Sequence, residues 1–194
     1  MARYTSLDPK KYIKIRDAAI TLFYNQGIDN TSIQQIANEA GIAKGTIYLY
    51  FKNRDDLVSY IFNYCFNLHI EASMKDVEVQ KSSSDKLKKR VKNILLWNIE
   101  FPKESSIARA YYKPVNVVGT ENVAFSRSYE INKEFVKTGV EMGEFKQLPL
   151  EFLCNVFFSA VEGISTYVKN NKHVLKDEAL LEKMIEATVD SIRK

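Results

Sequence analysis

The sequence predicts an all-α protein, and three observations carry that reading. Seven glycines and four prolines in 194 residues are too few for a meander of tight β-turns. Apolar residues recur at spacings of three and four through most of the chain. No segment alternates apolar and polar in the manner of a half-buried strand, and no internal repeat is visible. With 45% hydrophobic and 27% charged residues, the chain has the composition of a globular protein, long enough for one or two domains with a sizeable core.

The first helix has clear ends. Asp8 is its N-cap, Pro9 suits the first helical position, and Tyr12, Ile15, Ala19, Leu22 and Phe23 form an apolar stripe that Gly27 ends. A second helix starts at Thr31 or Ser32, since both Thr31/Gln34 and Ser32/Gln35 have capping-box spacing. It buries Ile33, Ile36, Ala37 and Ala40 and ends at Gly41. A third, very short helix starts at about Ala43 or Lys44. Asn53 caps a long fourth helix expected to run to about Asp76 through Leu57, Ile61, Tyr64, Cys65, Leu68 and Ala72.

The polar stretch QKSSSDKLKKR, residues 80 to 90, reads as a connection. Ser84 suits the N-cap of a helix carrying Leu87, Val91, Ile94, Leu95 and Asn98. Six basic residues against one acid between Lys81 and Lys92 fit either a solvated helix face or a contact with DNA or membrane. Pro102, Pro114, Gly139, Gly143 and Pro149 divide the region beyond. Two helices close the chain, Leu150 to Asn170 and Asp177 to Arg193. The first has an apolar band wider than one core requires.

Charge and motifs narrow the function. The net charge is +4, and residues 1 to 55 hold eight basic residues against five acidic, so the basic excess sits at the N-terminus and suits a polyanionic partner. Cys65 and Cys154 stand in apolar helical contexts without a CxxC, which reads as two free thiols rather than a disulfide or redox switch. No apolar run of signal-peptide or membrane-spanning type is present, so a soluble, cytoplasmic protein is expected. Two distant histidines, no GxSxG, no phosphate loop and no HExxH leave no constellation for catalysis. An enzyme is therefore not expected, nor a metal or cofactor.

The stretch GIAKGTIYLYFKNRDDL, from Gly41 to Leu57, is the most informative. Two short helices joined by a tight turn at Gly41-Ile42-Ala43, backed by a longer helix, make a helix-turn-helix over about residues 32 to 51. With Ile47 turned to the core, 100° per residue directs Gly45, Thr46 and Leu49 outward and sets Lys44, Tyr48 and Tyr50 on the flanks. Such a face suits a major groove: Thr46 for a base edge or phosphate, Leu49 for a thymine methyl, Gly45 for close backbone approach. Lys44, Tyr50 and Arg54 are expected to reach phosphates, as are Thr31 and Ser32 at the start of the second helix.

Taken together, Thr31, Ile36-Ala37, Ala40-Gly41, Lys44-Gly45-Thr46-Ile47-Tyr48, Tyr50-Phe51, Arg54 and Leu57 resemble the signature of the TetR-type (tetracycline-repressor-like) transcriptional regulators. The likeness is strong over residues 9 to 60, and GVEMGEF, Gly139 to Phe145, is similar to the family's lead-in to its penultimate long helix. The resemblance implies about nine helices, a reading domain over residues 1 to 53, and an effector-binding and dimerisation domain over residues 54 to 194. It implies a homodimer on a palindromic double-stranded DNA operator, most often a repressor released by a small effector. It also implies groove or phosphate roles for Thr46, Tyr48, Leu49, Tyr50 and Arg54 and a base contact for Gln34. Three positions depart from the family pattern: Ala43 for Ser or Thr, Tyr50 for His and Arg54 for Lys. A DNA-bound adaptor governed by a protein partner is the alternative.

For the second half, aromatic residues with a few polar groups suit a largely apolar or aromatic effector. The candidates are His69, Trp97, Asn98, Phe101, Tyr111, Tyr112, Phe125, Tyr129, Phe158 and Glu162, with His69 read equally as pocket, hinge or surface. The wide band on the penultimate helix, with the last helix, suits a two-fold four-helix interface through Val156, Phe157, Ala160, Gly163, Ile164, Tyr167, Leu181, Met184, Ile185, Thr188 and Ile192.

Overall fold

A computed structural model of the protein describes residues 8–110 and 123–194. Among the described residues there are nine α-helices, one short 3-10 turn and no strand; an isolated antiparallel bridge pairs Phe145 with Arg193. The all-α expectation holds.

Helix α1 spans Pro9–Gln26. The Asp8 carboxylate accepts the Lys10 N–H at 2.9 Å, and the N–H of Gly27, at φ 85°, closes on the Phe23 carbonyl. Helix α2 spans Ile33–Ala40, and of the two candidate capping boxes Ser32/Gln35 is the one formed. Ser32 Oγ accepts the Gln35 N–H at 3.2 Å, while Gln35 Oε1 accepts the Ser32 N–H at 2.8 Å. Gly41 ends α2 in the left-handed region at φ 65°, and the next N–H, of Ile42, closes on the Ala37 carbonyl. Helix α3 spans Lys44–Tyr50. Helix α4 spans Arg54–Met74, with Asn53 Oδ1 accepting the Asp56 N–H at 2.8 Å; it stops two residues before the expected end, where Asp76 takes φ 58°.

Helix α5 spans Ser83–Glu100, and its N-cap is Ser82, not Ser84. The reason lies in tertiary structure. The Glu144 carboxylate accepts the N–H groups of Ser83 and Ser84 at 3.1 and 2.9 Å, satisfying two donors of the first turn, and Arg193 donates to Ser84 Oγ at 2.8 Å. The remaining elements are α6 Pro102–Ala110, α7 Val123–Glu141, α8 Leu150–Asn170, the 3-10 turn Lys172–Lys176, and α9 Glu178–Asp190 capped by Asp177.

The chain forms two compact units that part within α4, after Asn67. The first holds α1 to α3, most of α4, and α6 from Lys103; the second holds the end of α4, α5, α7, α8 and α9. The first unit buries Ile15, Ala19, Ile36, Ile47, Leu57 and Ile61. The second packs α8, through Leu153, Phe157, Val161 and Val168, against Leu87, Val91 and Leu95 of α5, Val136 of α7 and Leu181, Ile185 and Val189 of α9.

Polar side chains of α5 tie the helices of the second unit to one another. Arg90 is 1% exposed and joins three helices: Nε donates to Ser73 Oγ of α4 at 3.4 Å, and Nη1 donates to Asn132 Oδ1 of α7. Asn93 adds two bonds to the carbonyls of Ser73 and Lys75, at 3.1 and 2.7 Å. At the end of α7, Gly139 lies under the ring of Phe145, which is fully buried. A Cβ at Gly139 would fall 2.2 Å from two ring carbons.

The basic stretch beyond Lys81 resolves into a solvated, ion-paired face. Lys86 pairs with Glu78, Lys88 with Glu186 and Lys92 with Glu182, while Arg90 points inward. Both cysteines are free and buried, one in each unit; burial pushes the Cys65 thiol up to about 12 and the Cys154 thiol up to about 11. Among the described residues no helix is long and apolar enough to cross a membrane, and no cluster of His, Cys, Asp or Glu could hold a metal ion.

Candidate nucleic-acid interface

Seven residues are too few for a helix to hold itself together in water, so α3 depends on what pins it. Its pin is Ile47, fully buried, with Phe51 buried just beyond. No side chain caps its start, because Ala43 carries none that can. Around Ile47 the outward direction is turned toward Tyr48. Lys44, Gly45, Tyr48 and Leu49 are exposed, Leu49 at 64%, while Thr46 and Tyr50 are half-buried. A Cβ added at Gly45 would meet open space, so nothing in the chain itself requires glycine there.

An aromatic cluster sets the far end of α3. The Tyr12 ring of α1 lies 6.0 Å from Tyr50, stacks on Phe51 at 5.6 Å and 14°, and contacts Tyr60 of α4 at 4.8 Å. The Tyr50 hydroxyl donates to the Asp8 carbonyl at 3.0 Å. The first turn of α1 and the last turn of α3 are thereby held together.

Other residues assigned to DNA contact are placed differently from one another. Ser32 and Gln34 are exposed at the start of α2, with Gln34 Nε2 bonded to Asn38 Oδ1 at 2.9 Å. Thr31 is a correction. It is 2% exposed, and its hydroxyl donates to the Gly27 carbonyl at 2.8 Å, so its side chain closes the α1–α2 turn instead of facing a phosphate. Arg54 is a second correction. Its Nε donates to the Thr31 carbonyl at 3.2 Å and its Nη2 to the Ile28 carbonyl, which turns the guanidinium inward onto that same turn.

The second unit brings together part of the expected effector set. The His69 ring meets Trp97 edge-on at 5.1 Å, and Trp97 lies 6.3 Å from Phe101, which is 40% exposed. Burial first, and the Arg90 cation second, lower the His69 pKa to about 3, so the ring is neutral. Asn98, Phe158 and Glu162 are half-buried on α5 and α8, and Tyr129 lies under the Lys133 ammonium at 5.9 Å. Tyr111, Tyr112 and the side chain of Phe125 lie outside the described residues.

Six of the residues expected at a dimer interface are core of their own chain: Phe157, Ile164, Leu181, Ile185, Thr188 and Ile192 are all buried. This corrects the sequence expectation, since a side chain spent on its own core cannot also face a partner. The outward stripe of α8 instead runs through Phe152, 55% exposed, Gly163 and Tyr167, bordered by the half-buried Val156 and Ala160, with Leu180 exposed on α9 and Met184 half-buried against the core. Phe152 and Leu180 were not foreseen, although their helical spacing from Val156 and Met184 signals them.

Comparison with known proteins agrees with this architecture. Residues 15–61 match the family model for bacterial regulatory proteins of the tetR family. The fatty acid metabolism regulator protein of Bacillus subtilis (strain 168) is 36% identical over 77 residues, 40% of this chain and 40% of that protein. The chain thus aligns with less than half the length of that relative. A solved chain from Shewanella sp. PV-4, assigned to the tetR family, superposes with a TM-score of 0.82 at 19% identity, covering 95% of this chain and 98% of the other. The transcriptional regulator FadR from Bacillus subtilis, solved in complex with stearoyl-CoA, superposes with a TM-score of 0.73 at 23% identity over 94% of this chain and 100% of its own. These two likenesses establish a shared fold. Residues 15–61 thus carry the domain of the tetR family of bacterial regulatory proteins, on a chain whose fold is shared with solved tetR-family regulators.

Proposed function

We propose that the protein is a cytoplasmic repressor that binds a palindromic operator as a homodimer and is released by a small, largely apolar effector. One observation carries the DNA-binding part: α3 buries only Ile47 and turns Lys44, Gly45, Tyr48 and Leu49 to solvent, a surface with no use in the fold of its own chain. Residues 1 to 53 form the reading part and residues 54 to 194 the sensing and dimerising part. The dimer is supported by the exposed stripe on α8, where Phe152 and Tyr167 flank Gly163. Two-fold symmetry would set two copies of α3 on successive major grooves, about 34 to 36 Å apart.

The effector reading is supported by the likeness to FadR, solved with stearoyl-CoA, and by the His69, Trp97 and Phe101 group, which offers apolar surface with a neutral imidazole. An acyl thioester is accordingly the first compound to try. Selection of duplexes from random DNA by the full chain should enrich a palindrome, and stearoyl-CoA should release it. If no sequence is enriched over several rounds, the DNA-binding reading is wrong. Light scattering at micromolar concentration should give the mass of two chains; the mass of one would remove the dimer.

A further inference from the structure

The side chains expected to grip phosphates at the far end of α3 are already occupied. The Arg54 guanidinium holds the carbonyls of Ile28 and Thr31, and the Tyr50 hydroxyl donates to the Asp8 carbonyl. A helix seated in a groove still requires cations along the flanking strands, because phosphate neutralisation supplies much of the affinity. Lys44 serves the start of α3. The other end needs another source.

The aromatic cluster supplies the position. Tyr12 against Tyr50 and Phe51, together with the Tyr50 to Asp8 bond, brings the first turn of α1 beside the end of α3. Lys10 and Lys11 lie on that first turn, and Lys52 follows Phe51; all three are exposed. Helical side chains lean toward the N-terminus of their helix, so Lys10 and Lys11 reach past the end of α1 that touches Tyr50.

Among the described residues none of the three forms an ion pair, whereas Lys86, Lys88 and Lys92 on α5 are each matched to a carboxylate. Two of the acids near them in sequence are turned to backbone: Asp8 accepts the Lys10 N–H at 2.9 Å and Asp56 accepts the Lys52 N–H at 2.8 Å, while Asp55 is exposed and forms no ion pair with Lys52. Exposed ammonium groups without a carboxylate partner are free to meet a polyanion.

We propose that Lys10, Lys11 and Lys52 form a phosphodiester-binding surface that grips the DNA backbone beside the C-terminal end of α3, in the place expected for Arg54 and Tyr50. The proposal rests on the DNA-binding reading of α3. Its ligand is the sugar-phosphate backbone, so it adds affinity without sequence preference.

The test uses the full chain and the duplex that the wild type selects from random DNA, with a scrambled duplex beside it, titrated by fluorescence anisotropy between about 50 and 200 mM salt. Each phosphate contact contributes about 0.9 to the slope of log K against log salt, so K10Q/K11Q/K52Q should lose about 2 to 3 units per chain. Both duplexes should weaken by the same factor, and R54Q should move the slope by less than one such contact. An unchanged slope in the triple variant, or an equal loss from R54Q alone, overturns the proposal. Circular dichroism melting should match the wild type. If the triple variant melts early, K11Q and K52Q are read singly, each expected to lose about one contact, and no loss in either overturns it. A wild type that binds no duplex at all overturns the DNA-binding reading itself, a different outcome from an unaltered slope.

Discussion

Replacing Gly139 by alanine sets two known effects against each other. Gly139 lies inside α7, where alanine is favoured over glycine by about 1 kcal/mol, so helix propensity alone predicts a more stable protein. Packing predicts the reverse. The new Cβ would lie 2.2 Å from Cδ2 and Cε2 of Phe145, whereas carbon atoms in contact sit about 3.5 to 4 Å apart, so ring or helix must move by more than an ångström. The ring has little room to move: it is fully buried, and its own N–H and that of Glu144 are tied to the Gly139 carbonyl at 3.1 and 2.8 Å. Overpacking costs about 1 to 3 kcal/mol, and an overlap of more than an ångström against a fully buried ring belongs to the upper part of that range, about 2 to 3 kcal/mol. The packing term wins, and Gly139→Ala should lose about 1 to 2 kcal/mol net, or roughly 2 to 8 °C in Tm for a chain of this size. Urea denaturation followed by circular dichroism measures it. In a Phe145→Leu background the cost should fall toward zero, because the ring is what the Cβ meets. A Gly139→Ala protein as stable as the wild type would refute the reasoning.

Three further outcomes are expected. Leu49→Ala should weaken binding to the selected operator by about tenfold while leaving binding to scrambled duplex unchanged, as loss of one base contact does; equal weakening of both would show that Leu49 reads nothing. Arg54→Gln should lower stability by about 1 to 3 kcal/mol, because two part-buried carbonyls lose a charged donor, and a urea midpoint equal to wild type would contradict that. His69 is held neutral to about pH 3 in the folded chain, while the unfolded chain protonates near 6.5, so the unfolded state binds the extra proton between those values. Stability is therefore unaffected above pH 6.5 and falls as pH drops below it, by at most about 1.4 kcal/mol per unit for this group. His69→Gln should flatten that fall between about pH 6.5 and 5, and parallel curves for the two proteins would rule it out.

Much of the first unit was legible because local signals and tertiary structure agree there. Asp8, Gly27, Gly41 and Asn53 do what their types do at helix ends, and Ile47 is the buried anchor of α3. Where local signals were ambiguous, distant residues decided. Ser82 caps α5 in preference to Ser84 because Glu144, some sixty residues away, takes the N–H groups of the first turn. Thr31 and Arg54 match a motif by type and spacing, yet both turn inward on the α1–α2 turn, a contact invisible in a linear pattern. Six of the expected dimer residues turn out to be core for a plainer reason. An apolar residue on α8 looks the same whether it faces its own core or a partner, and only the packing of α5, α7 and α9 separates Phe157 from Phe152. Arg90 shows the limit in the opposite sense: within KLKKR nothing distinguishes the one cation that goes inside.

The two buried thiols have a practical consequence. With pKa values near 12 and 11, and almost no exposed surface, roughly one thiol in ten thousand or fewer is ionised at neutral pH, and a thiol-directed dye has nothing to attack. The natural chain is thus a clean background for labelling. A single cysteine introduced on the outward side of α3 would take a spin label or fluorophore alone, so that in the proposed dimer the spacing of the two labels becomes a distance to follow as candidate effectors are added.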